Sequence, residues 1–242
     1  MIRYIILALF VCILNVNCGD LSEEISSSDL IDSVRFIEES LVADGISSGE
    51  LRITLNEDAN PALAVVNCTL SNGLFVSNQD SVIQLTASRM ENEIVATTRI
   101  RSTGNINDIT INVAVNGFDH EEVIVPVEPS MARSLMLSAN SFTVRRGFTT
   151  FINVVGVLRA DGNRNVSIGH RVEIGELLSD SMTISGRFMN ERLTSNNVSQ
   201  VSFSYSPGLV DANQDLLLVG HVIDVFGTRT SITDTLEIRI IE

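Results

Sequence analysis

Thr110-Ile111-Asn112-Val113-Ala114-Val115 places Ile111, Val113 and Val115 on one face of an extended chain and Thr110, Asn112 and Ala114 on the other. A period of two is that of a β-strand with one face packed and one in water. Outward from it, from Leu51 to Ile241, short segments of the same kind recur at spacings of about ten residues, separated by Gly, Asn, Asp and Pro. The rhythm predicts an all-β chain of sandwiches. In the first half the predicted strands are 51–55, 64–70, 82–85, 94–101, 109–115 and 122–127. In the second they are 135–137, 142–144, 149–158, 172–174, 182–188, 201–205, 216–225 and 233–241.

The 242 residues leave room for two domains of about 100 to 120 residues. The division falls near Pro126 and Pro129, which cannot donate to a ladder and preset an extended backbone. The organisation read from the sequence is therefore a segment 1–18, an acidic tether 19–32, a domain 33–128, a stiff linker 129–133 and a second domain 134–242. Hydrophobic residues make up 44% and charged residues 19%, which excludes a wholly disordered or collagen-like chain. All sixteen bases are Arg, and against thirty acids they give a net charge of −14. This balance disfavours nucleic-acid binding, and the absence of Lys removes Schiff-base and phosphate-loop lysine chemistry. Residues 33–129 carry 14 acids and 5 Arg, whereas 133–242 carry 11 acids and 10 Arg, so the negative charge lies mainly in the first half.

At the N-terminus, Arg3 precedes the ten apolar residues Ile5 to Leu14. The run is too short for a membrane helix, which needs about 20 residues, and has the form of a secretory signal. Val16-Asn17-Cys18-Gly19 resembles the lipobox of bacterial lipoproteins, in which Cys18 would be acylated. That resemblance implies an outer-membrane lipoprotein held in the cell envelope by its lipid. The alternative is cleavage after Cys18 and a secreted protein. Residues 19–32 hold five acids, Asp20, Glu23, Glu24, Asp29 and Asp32, with no base, and are expected to be a flexible tether. With Cys12 and Cys18 assigned to the signal and the lipid, Cys68 has no disulfide partner and reads as a small buried hydrophobe.

The first domain resembles the bacterial Ig-like domain of the invasin and intimin type. The likeness opens at Leu41-Val42-Ala43-Asp44-Gly45 and the strand ending Thr54-Leu55, and continues through Asn60-Pro61, Val65 to Leu70 and Ser71-Asn72-Gly73-Leu74-Phe75. It ends with Ile94 to Ser102 and Ile109 to Gly117. Ala59 stands where the family has Gly, and Asn92-Glu93 replaces a Gly-containing turn. The second domain has a suitable strand count for an Ig-like sandwich, with Arg159-Ala160-Asp161-Gly162-Asn163 as a hairpin turn. The resemblance implies a non-enzymatic spacer, adhesion or protein-interaction unit whose partner is a surface protein or polysaccharide.

No arrangement of nucleophile and base stands out. His120, His170 and His221 lie far apart without metal-ligand spacing and are expected to be solvent-exposed. Glu121 and Glu122 point to opposite faces of a strand. Asp211, Asn213 and Asp215 begin like a calcium loop, although Leu216 occupies the glycine position and Val222 that of the bidentate Glu. They are the candidate metal ligands, for calcium between strands. Asp44, Asn56, Glu57, Asp58 and Asn60 form a second oxygen-rich set if two loops converge at one pole. Ser33, Ser81, Ser181 and Thr235 each follow Asp and precede an aliphatic residue or Met, resembling a bacterial O-glycosylation signal. With no Trp and ten Phe expected mainly in the core, an aromatic sugar platform is not anticipated. The alternative function is a ligand-binding protein that takes calcium or polysaccharide at its domain poles.

Overall fold

The computed structural model describes residues 30–57, 59–119, 122–178 and 186–242. Cys18, the signal segment, residues 19–29, His120, Glu121 and Ser181 lie outside the described residues.

The first domain is built from β1 (Ile31–Phe36), β2 (Leu41–Val42), β3 (Ser48–Leu55), β4 (Val65–Leu70), β5 (Leu74–Phe75) and β6 (Val82–Thr86). It continues with β7 (Ser88–Met90), β8 (Glu93–Arg101), β9 (Ile109–Val115), β10 (Phe118–Asp119), β11 (Val123–Val125) and β12 (Val127–Glu128). One sheet has the order β1-β3-β8-β5, with β7 also on β8. The other has β10-β9-β4-β6, with β11 also on β9. The alternation of the sequence becomes their packing: Leu51, Ile53 and Leu55 of β3 and Ile111, Val113 and Val115 of β9 are all buried in one core. Burial of each such side chain is worth about 1.5–3 kcal/mol.

The second domain comprises β13 (Ser134–Ala139), β14 (Thr143–Arg145), β15 (Ile152–Arg159), β16 (Arg171–Leu178), β17 (Arg187–Arg192), β18 (Gln200–Ser206), β19 (Asp215–Ile223) and β20 (Arg229–Ile241). Its sheets run β13-β15-β18-β17 and β14-β20-β19-β16. Val154 and Leu158, Val201 and Phe203, Leu216 and Leu218, and Ile238 and Ile240 fill the space between them. Gly156 on β15 lets its neighbours close over the backbone, since a Cβ there would stand 2.7 Å from a methyl of Val201.

Several elements depart from the sequence reading. Strand β1 begins at Ile31, inside the stretch assigned to the tether, because Ile31 is buried in the first core. Pro126 divides the expected strand 122–127 into β11 and β12, and β12 pairs in parallel with β2. The turn after Arg159 is a single 3-10 turn, Asp161–Asn163, and does not close a hairpin. Strand β15 belongs to one sheet and β16 to the other, so the connection crosses between sheets.

Candidate functional site

The two domains meet through a set of buried polar groups. Asp44 is 1% exposed although it lies in a turn. Its Oδ1 accepts the backbone N–H groups of Ile46 (2.9 Å) and Ser47 (2.6 Å), and its Oδ2 accepts the Ser47 hydroxyl (2.7 Å). Gly45, at φ +75°, supplies the left-handed backbone that bends the chain around this carboxylate. Arg164 of the second domain reaches Asp44 Oδ2 at 3.7 Å.

Ser167 is the hub of the contact. Its hydroxyl donates to the Ala43 carbonyl (2.9 Å) and accepts the Ser130 N–H (2.8 Å), and its own N–H donates to the Ser130 carbonyl (3.0 Å). Next to it, the Ile168 N–H donates to the Gly104 carbonyl (2.9 Å). The linker therefore lies against the second domain, with Ser130 and Ala132 both buried. His170, expected in water, is 0% exposed: it packs beneath the linker, and its ring is held there by two hydrogen bonds. Nδ1 lies 2.9 Å from the Ser167 carbonyl, and Nε2 accepts the Ala132 N–H at 3.2 Å. These contacts require the neutral ring with its proton on Nδ1.

The expected convergence of Asp44 with Asn56, Glu57 and Asn60 does not occur. Asp44 precedes β3 and Asn56 follows it, which separates them by roughly 25 Å, the length of an eight-residue strand. Asp58 lies outside the described residues. In the second domain Asn213 sits in a turn at φ +64° and donates its N–H to the Ile240 carbonyl (2.8 Å). Asp215 opens β19, where its Oδ1 accepts Arg239 Nη1 at 2.8 Å, so a guanidinium already occupies that carboxylate, and Asp211 is exposed. Among the described residues no group of three or more His, Cys, Asp or Glu converges. Of the remaining candidates, Thr235 is exposed on β20, Ser33 is half-buried on β1, and Ser81 is half-buried in a loop with its N–H bonded to Asp80 (2.6 Å). Cys68 is wholly buried in β4, and burial pushes its thiol pKa up to about 12, which leaves it inert.

A buried polar pair lies inside the second core. Glu176 of β16 points inward, and its Oε1 accepts the Gly186 N–H at 2.6 Å. Its Oε2 faces the Tyr205 hydroxyl beside Gly186, where an added Cβ would meet both. Burial, and then the facing carboxylate, push the Tyr205 pKa upward. The Tyr205 ring packs against Phe188, with centroids 5.1 Å apart. An open groove of about 640 Å³ lies on the outer face of the same sheet, where Glu173 pairs with Arg229 at 3.9 Å beside His221.

One feature escaped the sequence reading. Four Phe are in water, each at least 54% exposed: Phe142 and Phe151, expected in core strands, and Phe148 and Phe226, which lie outside the expected strands. The topology sets the first three at or near the end of the second domain remote from the linker, where β13 and β18 finish and β15 and β19 begin. Leu209, 66% exposed, lies in the adjoining loop. The loop that carries Phe148 is pinned: the Gly147 N–H donates to the Gly208 carbonyl (2.6 Å), and the Ser206 hydroxyl donates to the Gly147 carbonyl (2.8 Å). The only available signal was the break in alternation at Arg146-Gly147-Phe148, where no strand period holds the ring inward.

No protein-family model and no curated protein matches the chain. Among solved structures it is similar to the Yersinia pseudotuberculosis adhesin InvE, at 10% identity and a TM-score of 0.53, covering 88% of this chain and 61% of that one. It is also similar to invasin, described as a bacterial integrin-binding protein, at 12% identity over 88% of this chain and 41% of that one, with a TM-score of 0.36. The Escherichia coli adhesin FdeC gives 13% identity over 87% and 64%, with a TM-score of 0.35. The chain spans about 61% of the length of the InvE structure. The likeness to InvE is one of fold, two Ig-like β-sandwiches in tandem.

Proposed function

We propose, from a chain that carries two Ig-like sandwiches in the succession found in a bacterial adhesin, that this protein is a non-enzymatic adhesion or protein-interaction unit of the cell envelope. Cys18 is its acylated anchor, and the two joined domains carry the far pole away from the membrane. The observation that supports the reading best is that pole: Phe142, Phe148, Phe151 and Leu209 stay in water on hydrogen-bonded loops. Large apolar side chains left exposed together mark an interaction site more often than a solvated tip. Pinned loops lower the ordering cost of binding.

Two measurements test the two parts. Cys18→Ala should move the chain from the membrane to the soluble envelope fraction, and mass spectrometry of the native N-terminus should find an acylated Cys18. An unmodified N-terminus beyond residue 18 refutes the anchor. Replacing Phe142, Phe148 and Phe151 together by Ser should weaken binding of the purified chain to intact cell surfaces by about tenfold or more, while Phe226→Ser leaves it unchanged. Equal binding by both variants removes the pole from the reading.

A further inference from the structure

We propose that the joint between the two domains is an acid-sensitive hinge, in which protonation of His170 at Nε2 releases the linker from the second domain. This rests on the joint alone and holds whether or not Cys18 is acylated.

The geometry permits only one protonation state. The Nδ1–H donates to the Ser167 carbonyl and Nε2 accepts from the Ala132 N–H, so an added proton on Nε2 sets two N–H donors against each other at 3.2 Å. The Ala132 N–H is buried and loses its acceptor, and among the described residues no carboxylate forms an ion pair with the buried ring. The Ser167 carbonyl, which also accepts the Ser195 hydroxyl (3.0 Å), ties His170 to the residue that holds Ser130 and Ala43. Release at Ala132 therefore acts on the same short segment that fixes the first domain to the second.

The charged groups on the surrounding segments do not remove this preference. Asp224, in the turn after β19, and the Ser167 carbonyl favour the charged ring, but burial outweighs them and lowers the His170 pKa below its ordinary value. Arg133 in the linker pairs with Asp161, Arg164 pairs with Asp44, and the adjoining Arg171 is exposed. The sign follows. The closed joint binds the proton less readily than the open joint, so closure is fully favoured above the ordinary histidine pKa and weakens as pH falls below it.

The test follows the full chain by NMR between about pH 7.5 and pH 5, recording the His170 ring resonances, the relative alignment of the two domains and the protection of the Ala132 amide. As His170 gains its proton, the domains should lose their common alignment while both stay folded. Ala132 protection, referred to the intrinsic exchange rate, should fall about tenfold or more. His170→Gln should abolish the pH dependence, whereas His221→Gln should retain it. An alignment that stays constant through the His170 titration overturns the proposal, as does loosening of equal size in His170→Gln. Should that variant fail to fold, the coincidence of ring titration and lost alignment in the unaltered chain decides the matter.

Discussion

Asp44→Ala should destabilise the first domain by about 3 kcal/mol, lowering its thermal midpoint by at least about 10 °C and leaving the unfolding of the second domain nearly unmoved. The carboxylate accepts three hydrogen bonds at 2.6–2.9 Å from Ile46 and Ser47 while itself excluded from water. Its loss removes the acceptor of two backbone N–H groups in a part-buried turn where the domains meet, together with the charge that strengthened both bonds. Asp44→Asn keeps an oxygen for those N–H groups and loses the second acceptor and the charge facing Arg164. It should forfeit about half as much. Differential scanning calorimetry of the three chains makes the comparison. Equal and small losses in both variants would mean that the turn is held by Gly45 and the strands, with the carboxylate a bystander.

Tyr205→Ala should cost the second domain about 3–5 kcal/mol, because a wholly buried ring packed on Phe188 leaves a large cavity behind. Tyr205→Phe keeps the ring and deletes only the hydroxyl that faces Glu176, so it should cost about 1 kcal/mol, well below the Ala variant. Denaturant midpoints of the second transition distinguish the two. A Phe variant as damaged as the Ala variant would show that the pairing of the hydroxyl with Glu176, and not the packing of the ring, holds this part of the core.

Alternation made the long strands legible. The expected strand 109–115 coincides with β9, and the inward set Ile111, Val113 and Val115 is the buried one. The short pieces were beyond that method. Strands β2, β5, β7 and β10 have two or three residues each, too few to display a period, and β1 is hidden where Ile31 adjoins Asp32 and Ser33 in an acidic run. The joint was illegible for a different reason. Ser130, Ser167 and His170 are polar residues in connecting segments, which composition assigns to solvent, and they are buried where the linker, the first domain and the second come together. The exposed Phe failed the opposite test: hydrophobicity places such rings inside, but Phe148 sits on a loop whose backbone bonds hold it outward.

The parallel pairing of β12 with β2 also determines how the molecule carries load. A pull transmitted through the linker runs along β12, across the bonds from the Leu41 and Ala43 N–H groups to the Pro126 and Glu128 carbonyls. Force in that direction shears these bonds together and cannot peel them one after another. A chain pulled through its linker thus meets its mechanical resistance at the boundary of its first domain, at a ladder of two residue pairs.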